Sequence, residues 1–369
     1  MTSFQRELNP ILSRKGAHIT TNLGQFVDFS SNDILGIATH ETLLDQFNNI
    51  RFNQFGSTGS RLLTGDYPVF HHFENQLADW LGIGRVFLFN TGYQLNAGVL
   101  SAILTASDII FMDKQCHASL INGALASKAK VVRYHHQNIT HLKAMIAKYR
   151  GQYENAILVT ESIFSMNGRH TDITELITIK HQFNMLLYID EAHAMGIYGR
   201  NGCGRCEDVM GDIDFIVGTF GKSFGGFGSF LGCRNSSAPL ILNQCRSFIY
   251  TTALPLPVVS WNQLAFSYIQ ENPESRRYVL ELAAYFRDQL SALHIPFTGD
   301  GHIIAVRTDS TERTLALSKL LAAVHCYVLP ILPPTVPIRE CCVRLSITAS
   351  HQQEHIDRVI TALSGYFNP

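Results

Sequence analysis

One lysine near the middle of the chain, Lys222, stands in a glycine-rich segment where its amine could do chemistry. The segment reads FIVGTFGKSFGGFG over residues 215–228, an apolar run followed by a lysine among five glycines. A P-loop would cradle phosphate with its backbone N–H groups, but it needs a glycine five residues before Gly221, and Ile216 occupies that position. Two alternatives remain: covalent attachment of a cofactor to the lysine, or an ordinary solvent-facing glycine turn.

Other reactive groups follow short apolar runs of the same kind. The runs lie at 85–90, 156–160, 185–189 and 214–219, and helical segments are predicted at about 68–82 and 172–183. Short apolar runs separated by helices are typical of strands buried on both faces of a parallel sheet. Ligands gather at the carboxyl ends of such strands. The groups found there are Thr91-Gly92-Tyr93, then Glu161 and Ser165, then Asp190 and His193, then Thr219 and Lys222.

Chain length and pattern predict more than one domain. A chain of 369 residues exceeds one typical core. The alternating pattern ends near Pro255, after which longer helices and spaced strands, HIIAV and CYVLPI among them, predict a smaller α+β domain. We therefore predict an N-terminal arm at 1–35, a large domain at 36–255 and a smaller C-terminal domain at 256–369.

Composition favours a cytoplasmic protein that buries much apolar surface. Hydrophobic residues make up 46% and charged residues 16%, and the formal net charge is −1. Because the chain has no basic runs, we do not expect nucleic acid or acidic lipid to be its main partner. No apolar segment is long enough for a signal peptide or a membrane span. The apolar excess predicts a subunit interface, hence a homodimer.

The eight cysteines do not predict a metal site. Cys203 and Cys206 form a C-x-x-C pair, but a structural zinc site needs a second pair, which adjacent Cys341 and Cys342 do not supply. A redox pair and a chance spacing of reduced cysteines are the two readings left open.

The groups at the strand ends match the needs of pyridoxal phosphate. This cofactor needs a lysine amine for a Schiff base and an acid that holds a proton on the pyridine nitrogen. Lys222 and Asp190 are of these types. The start of a helix at Gly92 offers free backbone N–H groups to a phosphate, and His117, in DKQCHASL, is a candidate to lie flat against the ring.

Several segments together resemble the α-oxoamine synthases, pyridoxal-phosphate enzymes of the aspartate-aminotransferase fold (fold type I). The similarity runs from about Asp28 to the C-terminus. Its segments are FSSNDILG (29–36), GSTGSRLLTG (56–65), HASL (117–120), ESIFSMNG (161–168), DEAHAMGIYGRNGCG (190–204) and TFGKSFGGFG (219–228). The resemblance implies a mostly parallel central sheet, a homodimer, and a decarboxylative condensation of an amino acid with an acyl thioester.

The resemblance also implies roles for individual residues. Lys222 would carry the Schiff base and shuttle the proton, Asp190 would pair with the pyridine nitrogen, His193 with the phenolic oxygen, and His117 would stack on the ring. The other cofactor contacts would be Gly92, Tyr93, Thr219, Ser165 and, from a partner subunit, Thr252. The substrate contacts would be Arg344 on the amino-acid carboxylate, Thr335 and Arg6 on the acyl substrate, and Asn32.

Within the family, two segments favour one substrate pair. Residues 333–337 (PPTVP), with Arg344 nine residues past Thr335, and the GSTGSRLLTG segment resemble the member that condenses L-alanine with a pimeloyl thioester of coenzyme A or acyl carrier protein. Glycine acetyltransferases and 5-aminolevulinate synthases tend to vary both segments. A related enzyme for glycine or another amino acid is the alternative.

The chain departs from the family pattern at several positions. Phe70 replaces a histidine, Tyr93 a phenylalanine and Glu191 an aspartate, while Arg339-Glu340 replaces a Gly-Thr pair. None of these removes a group that the chemistry needs. Arg339-Glu340 is the departure expected to alter the entrance for the acyl substrate.

Overall fold

The computed structural model describes residues 8–368, which form two compact units. The large unit comprises residues 42–165 and 169–276, and the small unit comprises residues up to 41, 166–168 and 277 onward. The units therefore divide between Arg276 and Arg277, while the predicted domain boundary at 255–256 stays a prediction. No helix among the described residues combines the length and apolarity needed to cross a membrane.

The elements follow one another in alternation through the large unit. In chain order the strands are β1 (Ile11–Lys15), β2 (His18–Thr21), β3 (Gly24–Asp28), β4 (Arg85–Phe89), β5 (Ile109–Asp113), β6 (Lys130–Tyr134), β7 (Ala156–Glu161), β8 (Leu186–Asp190), β9 (Phe215–Thr219), β10 (Ser229–Cys233), β11 (Phe297–Thr298), β12 (Ile303–Arg307), β13 (Cys326–Tyr327), β14 (Pro330–Ile331) and β15 (Cys342–Ser346). The helices are α1 (Glu41–Asn48), α2 (Pro68–Leu81), α3 (Gly92–Ile103), α4 (Ala118–Ala126), α5 (Ile139–Tyr149), α6 (Ile173–Gln182), α7 (Ala238–Gln244), α8 (Arg246–Ile249), α9 (Leu256–Glu271), α10 (Pro273–Ala292), α11 (Thr311–Ala323) and α12 (Gln353–Phe367).

A seven-stranded sheet forms the centre of the large unit. Its strand order is β4-β10-β9-β8-β7-β5-β6, and only β10 runs antiparallel to its neighbours β4 and β9. This confirms the predicted mostly parallel sheet. Because β5, β7, β8 and β9 are parallel, their carboxyl ends lie along one edge of the sheet. The four apolar runs predicted as strands correspond to β4, β7, β8 and β9.

Helix α2 shows how local sequence sets an element. Pro68 occupies its first turn, where the missing N–H costs nothing. Gly82 ends the helix in the left-handed conformation with φ 66°. Phe70, Phe73 and Leu77 lie on its buried face. The sequence predicted a helix at about 68–82, which corresponds to α2 and its Gly82 cap.

Helices α3 and α4 pack unusually close because glycine lies at their contact. A Cβ on Gly123 of α4 would stand 2.3 Å from the carbonyl oxygen of Asn96 on α3. Only a hydrogen at this position permits the approach. The result is that buried polar side chains of α3 and α4 meet directly.

The small unit contains two four-stranded sheets. The first has the order β1-β2-β3-β13 and the second the order β11-β12-β15-β14. The run CYVLPI, expected as one strand, is divided between them, since Cys326 pairs with Val27 of β3 and Pro330 with Val343 of β15. The segment therefore joins two sheets rather than lengthening one.

Candidate active site

Lys222 lies in the turn between the antiparallel strands β9 and β10. The Phe220 N–H donates to Gly228 O at 3.0 Å, and the Gly226 N–H donates to Phe220 O at 2.8 Å. Gly225 and Gly228 adopt φ of 55° and 108°, which side-chain-bearing residues rarely do. The glycines around the lysine are therefore needed to close this turn, and the backbone that carries the amine is fixed at both ends.

Asp190 ends β8 as a buried carboxylate oriented by two donors. Its Oδ1 accepts from the Ala192 N–H at 2.9 Å, and its Oδ2 accepts from the Asn96 amide at 2.7 Å. These two hydrogen bonds fix the direction of the carboxylate at the edge of the sheet.

His117 precedes α4 and caps it. Its Nδ1 lies 2.8 Å from Ser119 Oγ and accepts from the Ser119 backbone N–H at 3.3 Å, and the His117 backbone N–H donates to Glu161 Oε1 at 2.6 Å. Partial desolvation lowers the pKa of His117, with opposing contributions from Asp190, which raises it, and Lys222, which lowers it. These influences place Lys222, Asp190 and His117 in one electrostatic cluster.

The start of α3 provides a helix N-terminus near the same cluster. Thr91 caps the helix, accepting from the Gln94 N–H at 3.1 Å. A Cβ on Gly92 would meet no atom within 4 Å. Tyr93 is exposed, with its ring centroid 6.4 Å from that of His117 in an edge-on arrangement. Thr219 ends β9, and its hydroxyl accepts from the Gly221 N–H at 3.2 Å.

Two further carboxyl groups are buried beside Asp190. Glu161 pairs with Asp190 in register on the neighbouring strand. Burial and the charge of Asp190 raise the pKa of Glu161 to about 8. Glu191 accepts hydrogen bonds from Ser162 Oγ at 2.6 Å and the Cys206 N–H at 2.8 Å. Burial raises the pKa of Glu191 as well. Glu191 therefore stabilises the loop that follows it, through Cys206, rather than the cluster of Lys222, Asp190 and His117.

The remaining predicted cofactor contacts lie in the same unit. His193 is buried three residues after Asp190, and Ser165 is half-buried four residues after Glu161. Thr252 is exposed, and its carbonyl accepts from the Asn90 amide at 2.8 Å, which ties it to the end of β4. Their contacts with a cofactor stay predictions.

The predicted substrate contacts lie in the small unit. Arg344, on β15, is buried and donates to Ser346 Oγ at 2.9 Å and to Asn32 Oδ1 at 3.4 Å. Burial lowers the pKa of Arg344 to about 10, so the guanidinium stays charged at neutral pH. Thr335 is exposed in the turn before β15. The small unit thus brings Arg344 and Asn32 together, while Arg6 lies outside the described residues.

Two sequence departures and the C-x-x-C pair have structural explanations. Phe70 receives the Arg61 guanidinium over its ring at 4.5 Å, and Arg61 is held by Glu74 at 2.7 Å. The phenylalanine thus packs against a buried ion pair.

Cys203 and Cys206 are free and buried, and burial raises the pKa of each thiol. Both are thereby less reactive. Arg339 and Glu340 lie in a short 3-10 turn.

The residues of the large unit fit pyridoxal phosphate. A lysine on a fixed turn, a buried oriented carboxylate and an imidazole form one electrostatic cluster. The helix N-terminus at Gly92 faces open space in which an anion would meet free N–H groups. These are the donor and acceptor types that this cofactor requires.

Known proteins of this class are similar over nearly the whole chain. The family model for aminotransferase class I and II matches residues 24–363. A Haemophilus influenzae (strain ATCC 51907 / DSM 11121 / KW20 / Rd) protein named "Putative 8-amino-7-oxononanoate synthase" is 37% identical over 354 residues, covering 94% of this chain and 93% of its own length. A solved structure of serine palmitoyltransferase from S. paucimobilis, with a bound PLP–myriocin aldimine, gives a TM-score of 0.91 at 25% identity, covering 97% of this chain and 92% of that one.

A second solved structure shows the same fold. The 8-amino-7-oxononanoate synthase from Francisella tularensis gives a TM-score of 0.77 at 24% identity, covering 92% of this chain and 97% of that one. The chain belongs to the aminotransferase class I and II family, and its fold is the aspartate-aminotransferase type, fold type I. The resemblance inferred from the sequence motifs is confirmed.

Sequence reasoning missed the residues that hold the cluster together. Asn96 and Ser119 are buried and connect Asp190 to His117 through hydrogen bonds. A weak signal existed, because an asparagine on the second turn of an apolar helix is costly to bury without partners. The sequence could not show which partners those were, since they lie 94 and 23 residues away.

Proposed function

We propose that the chain condenses L-alanine with a pimeloyl thioester, with loss of carbon dioxide, to give 8-amino-7-oxononanoate, a precursor of biotin. The observation that carries the proposal is the cluster of Lys222, Asp190 and His117 in a chain whose relatives bear that enzyme's name. The acyl group would arrive on coenzyme A or on acyl carrier protein.

The enzyme is a pyridoxal-phosphate-dependent transferase of its family. When bound, pyridoxal phosphate supplies an electron sink that stabilises a carbanion at the α-carbon of an amino acid. Asp190, oriented by Asn96 and Ala192, would hold the proton on the pyridine nitrogen through its carboxylate. Lys222 would hold the cofactor covalently and, as a neutral amine, would serve as the general base for the α-proton. His117 would lie against the ring, and His193 would hydrogen-bond the phenolic oxygen.

The phosphate and the substrates are bound by charge and by backbone N–H groups. Gly92 and Tyr93 at the start of α3 and the Thr219 hydroxyl bind the phosphate, with Ser165 beside the cofactor. Arg344 binds the alanine carboxylate, since a planar guanidinium can donate two parallel hydrogen bonds to it. Asn32 already accepts from that guanidinium at 3.4 Å and helps to aim it. Thr335 and Arg6 contact the acyl chain.

The working form is a homodimer in the cytoplasm. Large apolar side chains of the large unit are exposed, including Phe55 at 73% and Tyr250 at 73%, which favours coverage by a second copy. Thr252, which follows Tyr250 and Thr251, would bind the phosphate of the partner subunit's cofactor. Sedimentation of the purified protein tests this, and a fully active monomer would contradict it.

A direct assay tests the substrate assignment. Purified protein with pyridoxal phosphate is offered alanine, glycine or serine with pimeloyl-coenzyme A or pimeloyl-acyl carrier protein, and products are measured by mass spectrometry. Product from alanine alone supports the proposal. Serine must be among the amino acids tested, because a serine palmitoyltransferase structure matches this fold closely. Preference for glycine or serine would assign a related condensation instead.

A further inference from the structure

A continuous chain of buried hydrogen bonds links Asp190 to His117. The Tyr188 hydroxyl donates to Asn96 Oδ1 at 2.7 Å. The Asn96 amide donates to Asp190 Oδ2 at 2.7 Å and to Ser119 Oγ at 3.0 Å. Ser119 Oγ lies 2.8 Å from His117 Nδ1. Tyr188, Asn96 and Ser119 are at most 1% exposed, so water does not compete for these bonds.

Counting donors and acceptors gives each bond one direction. An amide nitrogen has two hydrogens, and Asn96 uses them on Asp190 and Ser119. Rotating the amide by half a turn would set its oxygen against the Asp190 carboxylate, acceptor against acceptor. The Ser119 backbone N–H donates to His117 Nδ1 at 3.3 Å, which makes Nδ1 an acceptor. The Ser119 hydroxyl, which accepts from Asn96, is then the donor of the 2.8 Å bond to Nδ1.

We propose that Asn96 is a positioning residue that sets two groups at once: it orients the ionised Asp190 carboxylate and, through Ser119, holds His117 as the neutral tautomer with its proton on Nε2. The inference rests on the proposed cofactor roles of Asp190 and His117. It adds that these two groups, to which the sequence assigns separate roles toward the cofactor, are not set independently. One amide on α3 fixes both.

The surroundings of His117 support the neutral tautomer. His117 begins α4, and the positive end of a helix opposes a proton on the ring. The groups facing it are Asp190, Lys222, the Tyr93 ring and the Glu161 carboxyl, which accepts a hydrogen bond from the His117 backbone N–H. Desolvation, the largest of these influences, lowers the pKa of His117.

The tautomer of His117 can be measured without any substrate. The full-length protein is labelled with ¹⁵N-histidine, and the His117 ring signals are assigned by their loss in His117→Gln, with and without pyridoxal phosphate. We expect the Nε2–H tautomer in the parent protein. In Asn96→Leu the ratio of Nε2–H to Nδ1–H should fall at least about tenfold, the effect of losing one hydrogen bond. An unchanged ratio would overturn the link to His117.

The link to Asp190 has its own readout, the dissociation constant of pyridoxal phosphate. Asn96→Leu should weaken binding by about tenfold or more, because a charge-assisted bond to the carboxylate is lost. Ser119→Ala should disturb the tautomer while changing cofactor affinity less than about threefold, within the range of a bond made elsewhere. Equal affinity in Asn96→Leu and the parent would refute the role of Asn96 at Asp190.

A matched control lies at the opposite edge of the sheet. There the Asn155 amide donates to Asp108 Oδ1 at 2.8 Å, so Asn155→Leu removes the same kind of bond. It should alter neither tautomer nor affinity, and a change in either would contradict the proposal. Asn96→Ala, which also removes the amide donor, is a second variant if Asn96→Leu does not fold, with the same losses expected. Failure of the substrate assay would leave these two measurements intact.

Discussion

The two edges of the central sheet bury carboxyl groups in different ways. At the amino edge, before β9, Asp214 receives Lys180 Nζ at 2.6 Å, Arg234 Nε at 2.8 Å and the Leu187 N–H at 2.8 Å. At the carboxyl edge, Asp190 receives the uncharged Asn96 amide and a backbone N–H. The first carboxylate is neutralised by cations of the fold.

This difference separates structural from functional burial. A buried carboxylate with two cations beside it is paired within the protein. A carboxylate oriented by neutral donors can instead pair with a positively charged group of a ligand. The neighbouring Glu161 differs from both, because burial and the charge of Asp190 raise its pKa to about 8 and favour its protonated form. The carboxyl edge therefore holds Asp190, oriented by neutral donors, beside a Glu161 carboxyl whose pKa is raised. In the proposed mechanism the ring nitrogen would meet Asp190.

The largest effect is expected at Lys222. Lys222→Ala should abolish condensation, because both the cofactor anchor and the general base are lost. Cofactor should still bind, without covalent attachment. In the parent protein, borohydride reduction should fix the cofactor on the Lys222 peptide, which mass spectrometry identifies. A label on another lysine would refute the assignment.

At the amino edge, Asp214→Asn should damage the fold and spare the chemistry. It would leave Lys180 buried without its carboxylate, which costs about 3 kcal/mol in unfolding free energy. Urea unfolding measures that loss. Turnover per folded molecule should stay at the parent level, and a large fall in turnover would show that the two edges are coupled.

At the carboxyl edge, Asp190→Asn should do the opposite. The amide keeps the shape but removes the charge that, in the proposed mechanism, holds the ring-nitrogen proton, an effect of about one to three pKa units on that nitrogen. Exchange of alanine's α-proton with deuterated solvent should fall at least about a hundredfold, corresponding to about 2.7 kcal/mol. Cofactor should remain bound. Exchange near the parent rate would mean that Asp190 is not the pyridinium partner.

Glu161→Gln should have an effect that is visible only in the pH dependence of stability. Glu161 is protonated in the folded chain up to about pH 8 but ionises near 4.5 when unfolded, so the unfolded state binds fewer protons between these values. Folding stability from this group therefore falls as pH rises, by at most about 1.4 kcal/mol per unit. Glutamine does not titrate, so the variant should show a shallower decline in unfolding free energy from pH 5 to 8. Parallel curves would show that Glu161 is already ionised.

The sequence predicted those parts of the molecule that depend on local pattern. The runs that became β4, β7, β8 and β9, and the end of α2 at Gly82, follow from apolar periodicity and glycine conformation. The placement of Lys222, Asp190 and the α3 N-terminus at strand ends followed from the same pattern. Their catalytic roles stay predictions.

What the sequence could not predict depends on contacts between distant segments. Strand β10 pairs with β4 although 142 residues separate Phe230 from its partner Leu88. No shared turn or motif links the two strands, so their pairing is set by the assembly of the sheet. Asn96 meets Asp190 only once α3 packs beside β8. Such pairings depend on tertiary packing, which overrides local propensity.

The eight buried cysteines give the protein internal reporters of its own opening. Five lie in the large unit and three, Cys326, Cys341 and Cys342, in the small unit, and all are free. Because a buried thiol reacts only when its surroundings open, the rate at which each one is alkylated measures a local opening free energy. Quantitative mass spectrometry of the alkylated peptides would thus measure local opening in each unit separately, without introducing new residues into the chain.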